Sequence, residues 1–354
     1  MEKLKKICSH IFIDGLSGMA QGLFATLIIG TIIQQIGLAI GSTAGDCIYT
    51  IGKVAAACTS VGIGIGVAHK YKEGPLVMVS AGVAGMVGGY ASKILAGTAF
   101  ADGAMVLAGP GEPLGAFVAA FVGITVGHLV AGRTKIDIIV TPLVTIGCGS
   151  AVGLIAGPPI STLMAGLGNI INWGTEQQPF LMGIVVSVLM GMILTLPISS
   201  AALGIILNLQ GIAAGAAVIG CCCNMVGFAV ASYRENKIGG LLAQGVGTSM
   251  LQVPNIMRHP LIWLPAIISS AILGPVGTML VNMQCNATGS GMGSAGFVGQ
   301  IMTYQTMTAF ESPAIVMVKI ILLQFVLPAV ISLAVSELMR KKGLIQPGDM
   351  DLNL

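Results

Sequence analysis

The segment QCNATGSGMGSAGFVGQIMTYQTMTAFESP, residues 284–313, lies between two apolar runs at 261–283 and 314–338. Each run is long enough to cross a bilayer, which takes roughly 20 residues of helix. The segment itself is polar, rich in Gly, Ser and Thr, and carries one acid, Glu311, but no Lys or Arg. This pattern favours a re-entrant hairpin, because irregular backbone is tolerated at membrane depth where it is packed in protein or lines a wet cavity. An outward-facing Gly/Ser loop is the alternative.

The composition of the chain places it in a membrane. Of its 354 residues, 55% are hydrophobic and 8% are charged, whereas about a quarter of the residues in a soluble domain are charged. The mean hydropathy is +0.94, and the 51 glycines are suited to close packing between helices. We therefore predict an all-α polytopic integral membrane protein with about ten transmembrane helices and one or two re-entrant hairpins.

The basic residues predict how the chain is oriented in the membrane, because cytoplasmic loops carry an excess of Lys and Arg. Basic residues precede the first apolar run and follow the last one, which places both termini in the cytoplasm. The two basic clusters are Lys3, Lys5 and Lys6 at the start of the chain and Arg340, Lys341 and Lys342 near its end.

The middle of the chain does not fit a simple count of crossings. Arg133 and Arg234 both belong in the cytoplasm under the same rule, which requires an even number of crossings, yet three apolar runs separate them. Either one run contains a hairpin that does not cross, which we place at 197–224, or a helix break hides a further crossing. The adjacent Pro158 and Pro159 predict such a break, because proline removes a hydrogen-bond donor and clashes with the preceding turn.

We divide the chain into three parts. Residues 1–135 form an N-terminal membrane block, residues 136–343 form a C-terminal membrane block that carries the hairpins, and residues 344–354 form a short cytoplasmic tail. The N-terminal block is the predicted homodimer interface, because its spans have glycine ridges and few candidate ligand-binding residues. The ridge chosen for this interface contains Gly82, Gly85 and Gly89.

Three stretches resemble sequences of one membrane protein family. The run TPLVTIGCGSAVGLIAGPPISTLM at 141–164 resembles the proline-led helix ending in Gly-Pro of the sugar-specific membrane (EIIC) subunits of the bacterial phosphotransferase system. Glu311-Ser312-Pro313, which closes the polar segment, is similar to the substrate-binding Ile-Thr-Glu-Pro type of loop in that superfamily. The opening FIDGLSGMAQGLFATLIIGTIIQQIG at 12–37 resembles the branch of EIIC-like regulators of the perfringolysin-regulator type.

This resemblance implies a dimeric protein of about ten helices in the bacterial cell membrane, with one half forming the dimer interface and two hairpins of the other half holding a sugar. A glutamate then accepts hydrogen bonds from the sugar hydroxyls, and in many members a histidine lies opposite it. The sequence has no soluble domain with a phosphorylatable Cys or His, so coupled phosphorylation would need separate phosphotransfer proteins. The chain also departs from the family in its histidines, which all lie outside 197–224: His10, His69, His128 and His259.

Carboxylates in a membrane region are costly and therefore mark candidate sites. Glu311 is the first candidate, and the alternative is that Glu311 or Ser312 caps the last helix. Lys319, about two turns into that helix, is placed to pair with Glu311. Glu176 is the second candidate because the adjacent Trp173 is suited to stacking on a sugar ring, although an interfacial loop with a belt tryptophan explains it equally well. The predicted substrate-binding residues are Glu311, Glu176, Asn286, Thr288, Ser290, Gln300, Thr308 and Ser312.

Two functions are compatible with these residues. As a permease-type EIIC subunit, the protein would bind and translocate a polar small solute, which the resemblance makes a carbohydrate. As an EIIC-like sensor, it would bind a similar ligand and control gene expression without transport, through cytoplasmic loops such as 233–260. We do not expect an enzyme, because the sequence has no nucleophile–base pair and no metal-ligand cluster, and we expect no cofactor, no bound metal and no nucleic-acid partner.

Overall fold

The computed structural model describes residues 10–101, 104, 105, 109, 111–198 and 200–352. The chain forms two compact units, Met1–Ala165 and Gly166–Leu354. Helices dominate the described residues, and a two-residue β-ladder pairs Phe100–Ala101 with Ala104–Met105. The predicted all-α membrane fold is confirmed. The residues on which the predicted N-terminal orientation depends lie outside the described part of the chain: Lys3, Lys5 and Lys6.

The helices of the first unit begin and end at residues that favour those positions. Gly41, with a left-handed backbone (φ 59), ends the first helical stretch, and the Ser42 hydroxyl accepts a hydrogen bond from Gly45 N to cap the next helix. Pro75 and Pro113 each start a helix, where a missing N–H leaves nothing unpaired. The helices are Leu16–Leu23, Ile29–Ile40, Thr43–Ala57, Thr59–Lys70, Pro75–Gly89, Ala91–Leu95 and Pro113–Val130, with π-helical turns at His10–Gly15 and Phe24–Ile28.

The next helix, Asp137–Thr175, is 39 residues long and contains Pro158 and Pro159 without ending. The predicted helix break at these two prolines is therefore wrong. Each proline costs the helix a backbone hydrogen bond but has a φ that is compatible with a helix, so the helix can continue past it. The Thr162 hydroxyl adds a hydrogen bond by donating to Pro158 O at 3.0 Å, the kind of side-chain support that membrane helices use around proline.

The second unit contains longer helices that alternate with short and broken ones. The α-helices after Thr175 are Pro179–Thr195, Ser200–Ile206, Gly211–Ala231, Tyr233–Leu242, Val253–Arg258, Leu264–Pro275, Ala287–Ser290, Val298–Met307, Pro313–Ile320 and Leu327–Lys341. Turns of π-helix lie at Ala243–Gly247, Val276–Leu280 and Ile321–Val326, and turns of 3-10 helix lie at Ser249–Gln252, Pro260–Trp263 and Ala295–Phe297.

Many of these helices have the length and composition of membrane spans. Within the described residues, six helices are long and apolar enough to cross a membrane. The pair Thr43–Ala57 and Thr59–Lys70 passes the same test together but is bent by 53°. Pro75–Gly89 and Pro179–Thr195 are shorter apolar helices. The protein is thus a multi-pass membrane protein, and the figure of about ten crossings stays a prediction.

Glycines let the first two apolar stretches pack backbone to backbone. A Cβ on Gly22 would lie 2.1 Å from Gly62 O, and a Cβ on Gly37 would lie 2.7 Å from Gly45 O. Small residues permit such close approach between helices in lipid, where packing replaces the hydrophobic effect as the driving force. The same backbone contact recurs between Gly18 and Gly66 and between Gly30 and Gly52.

The three glycines selected for the dimer interface contact their own chain. A Cβ on Gly85 would lie 2.6 Å from Ser60 O, Gly89 packs on the Ser60 side chain, and Gly82 packs on Ile65. All three glycines are buried. They therefore serve packing within the first unit, and the homodimer interface in the N-terminal block stays a prediction.

Gly211–Ala231, here called the central helix, forms the core of the second unit. In its apolar stretch of 18 residues, 89% of the residues are buried. In the helix Pro179–Thr195, Ser187 O lies against Gly220 of the central helix. Thr195, further along the same helix, lies beside Asn224, which is further along the central helix. The two helices therefore run in the same direction. The other long helices packed on it are Leu264–Pro275 and Leu327–Lys341.

The closest helix contact in this core lies at Gly220, where a Cβ would be 1.8 Å from Ser187 O. We expect Gly220→Ala to destabilise the protein by about 3 kcal/mol, the upper end for an overpacked core, even though Ala favours a helix by about 1 kcal/mol. Thermal unfolding in detergent measures the effect. Gly239→Ala is the control, because no atom lies within 4 Å of its Cβ position. Equal unfolding temperatures for the two variants would contradict this packing.

Candidate functional site

The polar segment that follows Leu280 enters the second unit alongside the central helix. Cys285 N donates to Gly211 O at 3.2 Å, at the first residue of that helix. Ser294 reaches Met225, with 3.6 Å between Oγ and Sδ. Gly211 and Met225 are about 20 Å apart at 1.5 Å per helical residue. The segment therefore penetrates beyond the middle of the central helix.

The same segment then returns to the level at which it entered. Helix Val298–Met307 leads back, and the Lys319 ammonium donates to Val281 O at 2.9 Å and to Glu311 Oε1 at 2.6 Å. Val281 and Glu311 are the two ends of the excursion, and one side chain joins them. Residues 281–312, here called the second hairpin, thus form the re-entrant structure that the sequence predicts.

A first hairpin is formed by residues 179–210. Its helix Pro179–Thr195 runs down the central helix, and the return passes the second hairpin, where the Ser200 hydroxyl donates to Gly291 O at 2.6 Å. The turn lies at Pro197, where a helix cannot readily continue. The predicted hairpin at 197–224 is therefore displaced, since the residues after Gln210 belong to the central helix.

A third segment approaches from the opposite end of the central helix and meets both hairpins. The Ser294 hydroxyl of the second hairpin donates to Gly245 O at 2.6 Å. The Ser249 and Thr195 hydroxyls are hydrogen-bonded at 2.8 Å. Residues 243–252, here called the capping segment, therefore close one end of the space between the hairpins.

Asn224 of the central helix connects the elements at this junction. Its Oδ1 accepts hydrogen bonds from Trp263 Nε1 at 2.8 Å and from the Thr195 hydroxyl at 3.2 Å. Its Nδ2 donates to Gly220 O at 3.1 Å and to the Ser270 hydroxyl at 3.4 Å. Asn224 is fully buried. Its partners join three segments, the central helix, the first hairpin and the span Pro260–Leu280, because an unpaired polar group at this depth is costly.

The C-terminal tail holds the capping segment in place. Gln252 Nε2 donates to Gln244 Oε1 at 2.9 Å and to Met350 O at 3.0 Å. Gln244, Gln252 and Met350 are fully buried, and so is Ile345. The predicted cytoplasmic loop at 233–260 is thus an ordered, partly buried part of the second unit, and it is bonded to the predicted tail.

Among the predicted site residues, Glu311 lies at the returning end of the second hairpin. It forms an ion pair with Lys319 at 2.6 Å, and the two side chains are 31% and 22% exposed. The structure therefore contains the pair that the sequence indicated. Ser312 occupies the N-cap position of the last helix, but its side chain makes no capping hydrogen bond. The second oxygen of Glu311, Oε2, is buried without a hydrogen bond to described protein atoms.

Four more predicted site residues lie along the second hairpin. Asn286 Oδ1 accepts from Gly289 N at 3.0 Å, the Ser290 hydroxyl donates to Ala287 O, and the Thr308 hydroxyl donates to Tyr304 O at 2.8 Å. Thr288 is exposed. These hydroxyl and amide groups shape the hairpin itself, and their remaining lone pairs are what they can offer a ligand.

Glu176 lies in the turn between Asp137–Thr175 and Pro179–Thr195. Its side chain is exposed, and its N–H donates to Trp173 O at 3.3 Å. Trp173 is 52% exposed. Among the described residues, no hydrogen bond joins Glu176 to the second hairpin.

One buried glutamine lies on the second hairpin and another lies on the helical stretch that follows it. Gln300 Nε2 donates to Cys222 Sγ at 3.3 Å, and Gln324 Nε2 donates to the Thr303 hydroxyl at 3.1 Å. Gln300 and Thr303 are three residues apart and so share one helix face. Both glutamines are buried, and the Oε1 atom of each makes no hydrogen bond to described protein atoms. These two oxygens and Glu311 Oε2 are acceptors without a protein donor.

Several residues of this candidate site are not evident from the sequence. Gln324 lies inside a strongly apolar run, and Asn224 follows three cysteines in another. The sequence signal for Gln324 and Asn224 was a single amide side chain within an apolar helix. Such a side chain indicates a candidate site, because polar residues within membrane segments face protein or a wet cavity. Ser249, Ser294 and Thr195 carried no comparable signal.

Broken segments that enter a helical bundle from both ends and meet inside it are typical of membrane transporters. The sequence matches the family described as "Phosphotransferase system, EIIC" over residues 13–352. The chain therefore belongs to this family, whose members are the membrane transport components of sugar phosphotransferase systems and not catalytic domains. The predicted family is confirmed, and the narrower perfringolysin-regulator branch stays a prediction. The sequence matches none of the curated proteins with which it was compared.

Proposed function

We propose that the second unit binds a polyhydroxylated solute, a carbohydrate, at the second hairpin and translocates it. The observation that carries this proposal is that three buried acceptors on the second hairpin and the helical stretch after it have no hydrogen-bond donor among the described protein atoms: Gln300 Oε1, Gln324 Oε1 and Glu311 Oε2. A buried acceptor that stays unpaired costs roughly 1–3 kcal/mol. Solute hydroxyls are donors that would satisfy all three, and the carboxylate would form the stronger, charge-assisted bond.

The capping segment and the two hairpins supply a route for release. Among the described residues, they are joined by hydrogen bonds from Ser294 to Gly245 and between Thr195 and Ser249. Separation of the capping segment would open the hairpins toward the side of the C-terminal tail, which we propose is cytoplasmic. Separate phosphotransfer proteins would meet the solute on that side. Formation of a homodimer would leave the release route between the hairpins and the capping segment unchanged.

The proposal is tested by uptake and by binding in the same variants. A panel of radiolabelled sugars is presented to cells that express the protein, and the sugar that is taken up is then titrated against purified protein. We expect Gln300→Met to weaken binding of that sugar by about tenfold, the value of one hydrogen bond of about 1.4 kcal/mol.

Gln305→Met is the matched control, because Gln305 lies on the same helix with an exposed side chain. Equal losses in both variants, or no loss in either, would contradict a site at Gln300. Saturable binding of a sugar without uptake would remove the transporter proposal and leave the sensor, which would signal through the ordered loop at 233–260. A panel that neither binds nor is taken up would refute the carbohydrate proposal.

A further inference from the structure

Two adjacent pockets lie where the last helix ends, far along the sequence from the hairpins. One, of about 460 Å³, is lined mainly by apolar side chains, and the other, of about 420 Å³, has three basic side chains among its six lining residues. Both volumes fall within the range of small-ligand sites, about 300–1,000 Å³. The pockets share Arg234 and Glu337, which form an ion pair at 2.8 Å. Together they form one amphipathic groove.

The basic pocket has charge available for an anion. Arg340 is mostly buried and is committed to Glu235 at 2.8 Å and to Ala231 O at 3.1 Å. Arg234 is paired on one side by Glu337, but its side chain is 68% exposed. Lys341 is exposed and lines the same pocket. Three cations and one carboxylate therefore line the pocket, and two of the cations can turn toward a ligand.

The apolar pocket provides a surface for hydrocarbon beside that charge. Val230 of the central helix, Leu241 of the following helix and Leu333 of the last helix line it, together with Tyr233. Leu333 and Tyr233 are each 43% exposed. Tyrosine is enriched where membrane and water meet, and the 29-residue span Pro313–Lys341 ends here. The groove therefore lies at the level of the lipid headgroups.

We propose that this groove binds one anionic phospholipid, with its phosphate on Arg234 and Lys341 and the start of an acyl chain against Leu241 and Leu333. Basic pockets between membrane helices favour anionic headgroups, and an apolar wall next to the charge favours a lipid over a free anion. The bound lipid joins the last helix to the helix Tyr233–Leu242, from which the capping segment continues.

The test measures the unfolding temperature of the full chain in neutral detergent. Phosphatidylglycerol is added in one arm, phosphatidylcholine in a second and inorganic phosphate in a third. We expect phosphatidylglycerol alone to raise the unfolding temperature in a saturable manner. An equal effect of phosphate would overturn the lipid assignment in favour of a free-anion site, and an equal effect of phosphatidylcholine would overturn the role of charge.

Variants locate the site. Arg234→Gln/Lys341→Gln should weaken phosphatidylglycerol binding by roughly 30-fold, because each Lys or Arg near a headgroup contributes about fivefold. Arg133→Gln/Lys135→Gln, which removes an exposed basic pair of the first unit, should bind as the unmodified protein does. Lys341→Gln alone, expected to lose about fivefold, replaces the double variant if that protein does not fold. Unchanged binding in the Lys341 variants, or an equal loss in the control, would overturn the proposal.

Discussion

A disulfide between residues 195 and 249 is expected to abolish solute uptake, and reduction is expected to restore it. The Thr195 and Ser249 hydroxyl oxygens are 2.8 Å apart, so cysteines at both positions can reach a sulfur–sulfur bond of about 2.0 Å with little adjustment. The bond would join the first hairpin to the capping segment covalently. If release requires these segments to separate, oxidised Thr195→Cys/Ser249→Cys has no route and its uptake falls to background.

The single variants Thr195→Cys and Ser249→Cys are the controls, because each removes one hydroxyl without forming the bond. The buried thiols Cys221, Cys222 and Cys223 are present in every variant and cancel from the comparison. Uptake by the oxidised double variant that equals uptake after reduction, with the disulfide confirmed by mass spectrometry, would show that the capping segment stays in place during transport.

The sequence predicted the second hairpin because its signal is local. A polar stretch rich in small residues between two spans is visible in any window of that length, and the structure brings its ends together at Val281 and Glu311. The Glu311–Lys319 pair was predictable for the same reason, since Glu311 immediately precedes the helix Pro313–Ile320 and Lys319 lies within its first two turns. Both features can be recognised within a short stretch of sequence, without knowledge of the fold.

The capping segment was not predictable in the same way. Residues 243–252 are polar and glycine-rich, which is typical of a loop. Their burial depends on partners that are distant in the sequence, Thr195 for Ser249 and Met350 for Gln252. No local pattern encodes such pairing. The roles of Gly220 and of Gly85 were hidden for the same reason, because a glycine ridge shows that something packs closely but not what packs there.

Glu311→Gln is expected to weaken solute binding strongly and to destabilise the protein slightly. Loss of a charge-assisted hydrogen bond from Oε2 costs about 1.5–3 kcal/mol, which is roughly tenfold to more than a hundredfold in affinity. The substitution also weakens the ion pair with Lys319. Because both side chains are partly exposed, that loss should be nearer the 1 kcal/mol of a surface pair than the several kcal/mol of a buried one.

A second substitution separates binding from stability. Glu311→Gln/Lys319→Met removes both charges, so the stability of the protein should recover relative to Glu311→Gln, since no ammonium is left without its partner. Affinity for the solute should not recover, because the acceptor charge at residue 311 is still missing. Titration of the solute and thermal unfolding, measured on the same purified samples, give both quantities. Recovery of affinity together with stability would mean that Glu311 affects the ligand only by pairing with the Lys319 ammonium, and the ligand contact would then rest on Gln300 and Gln324.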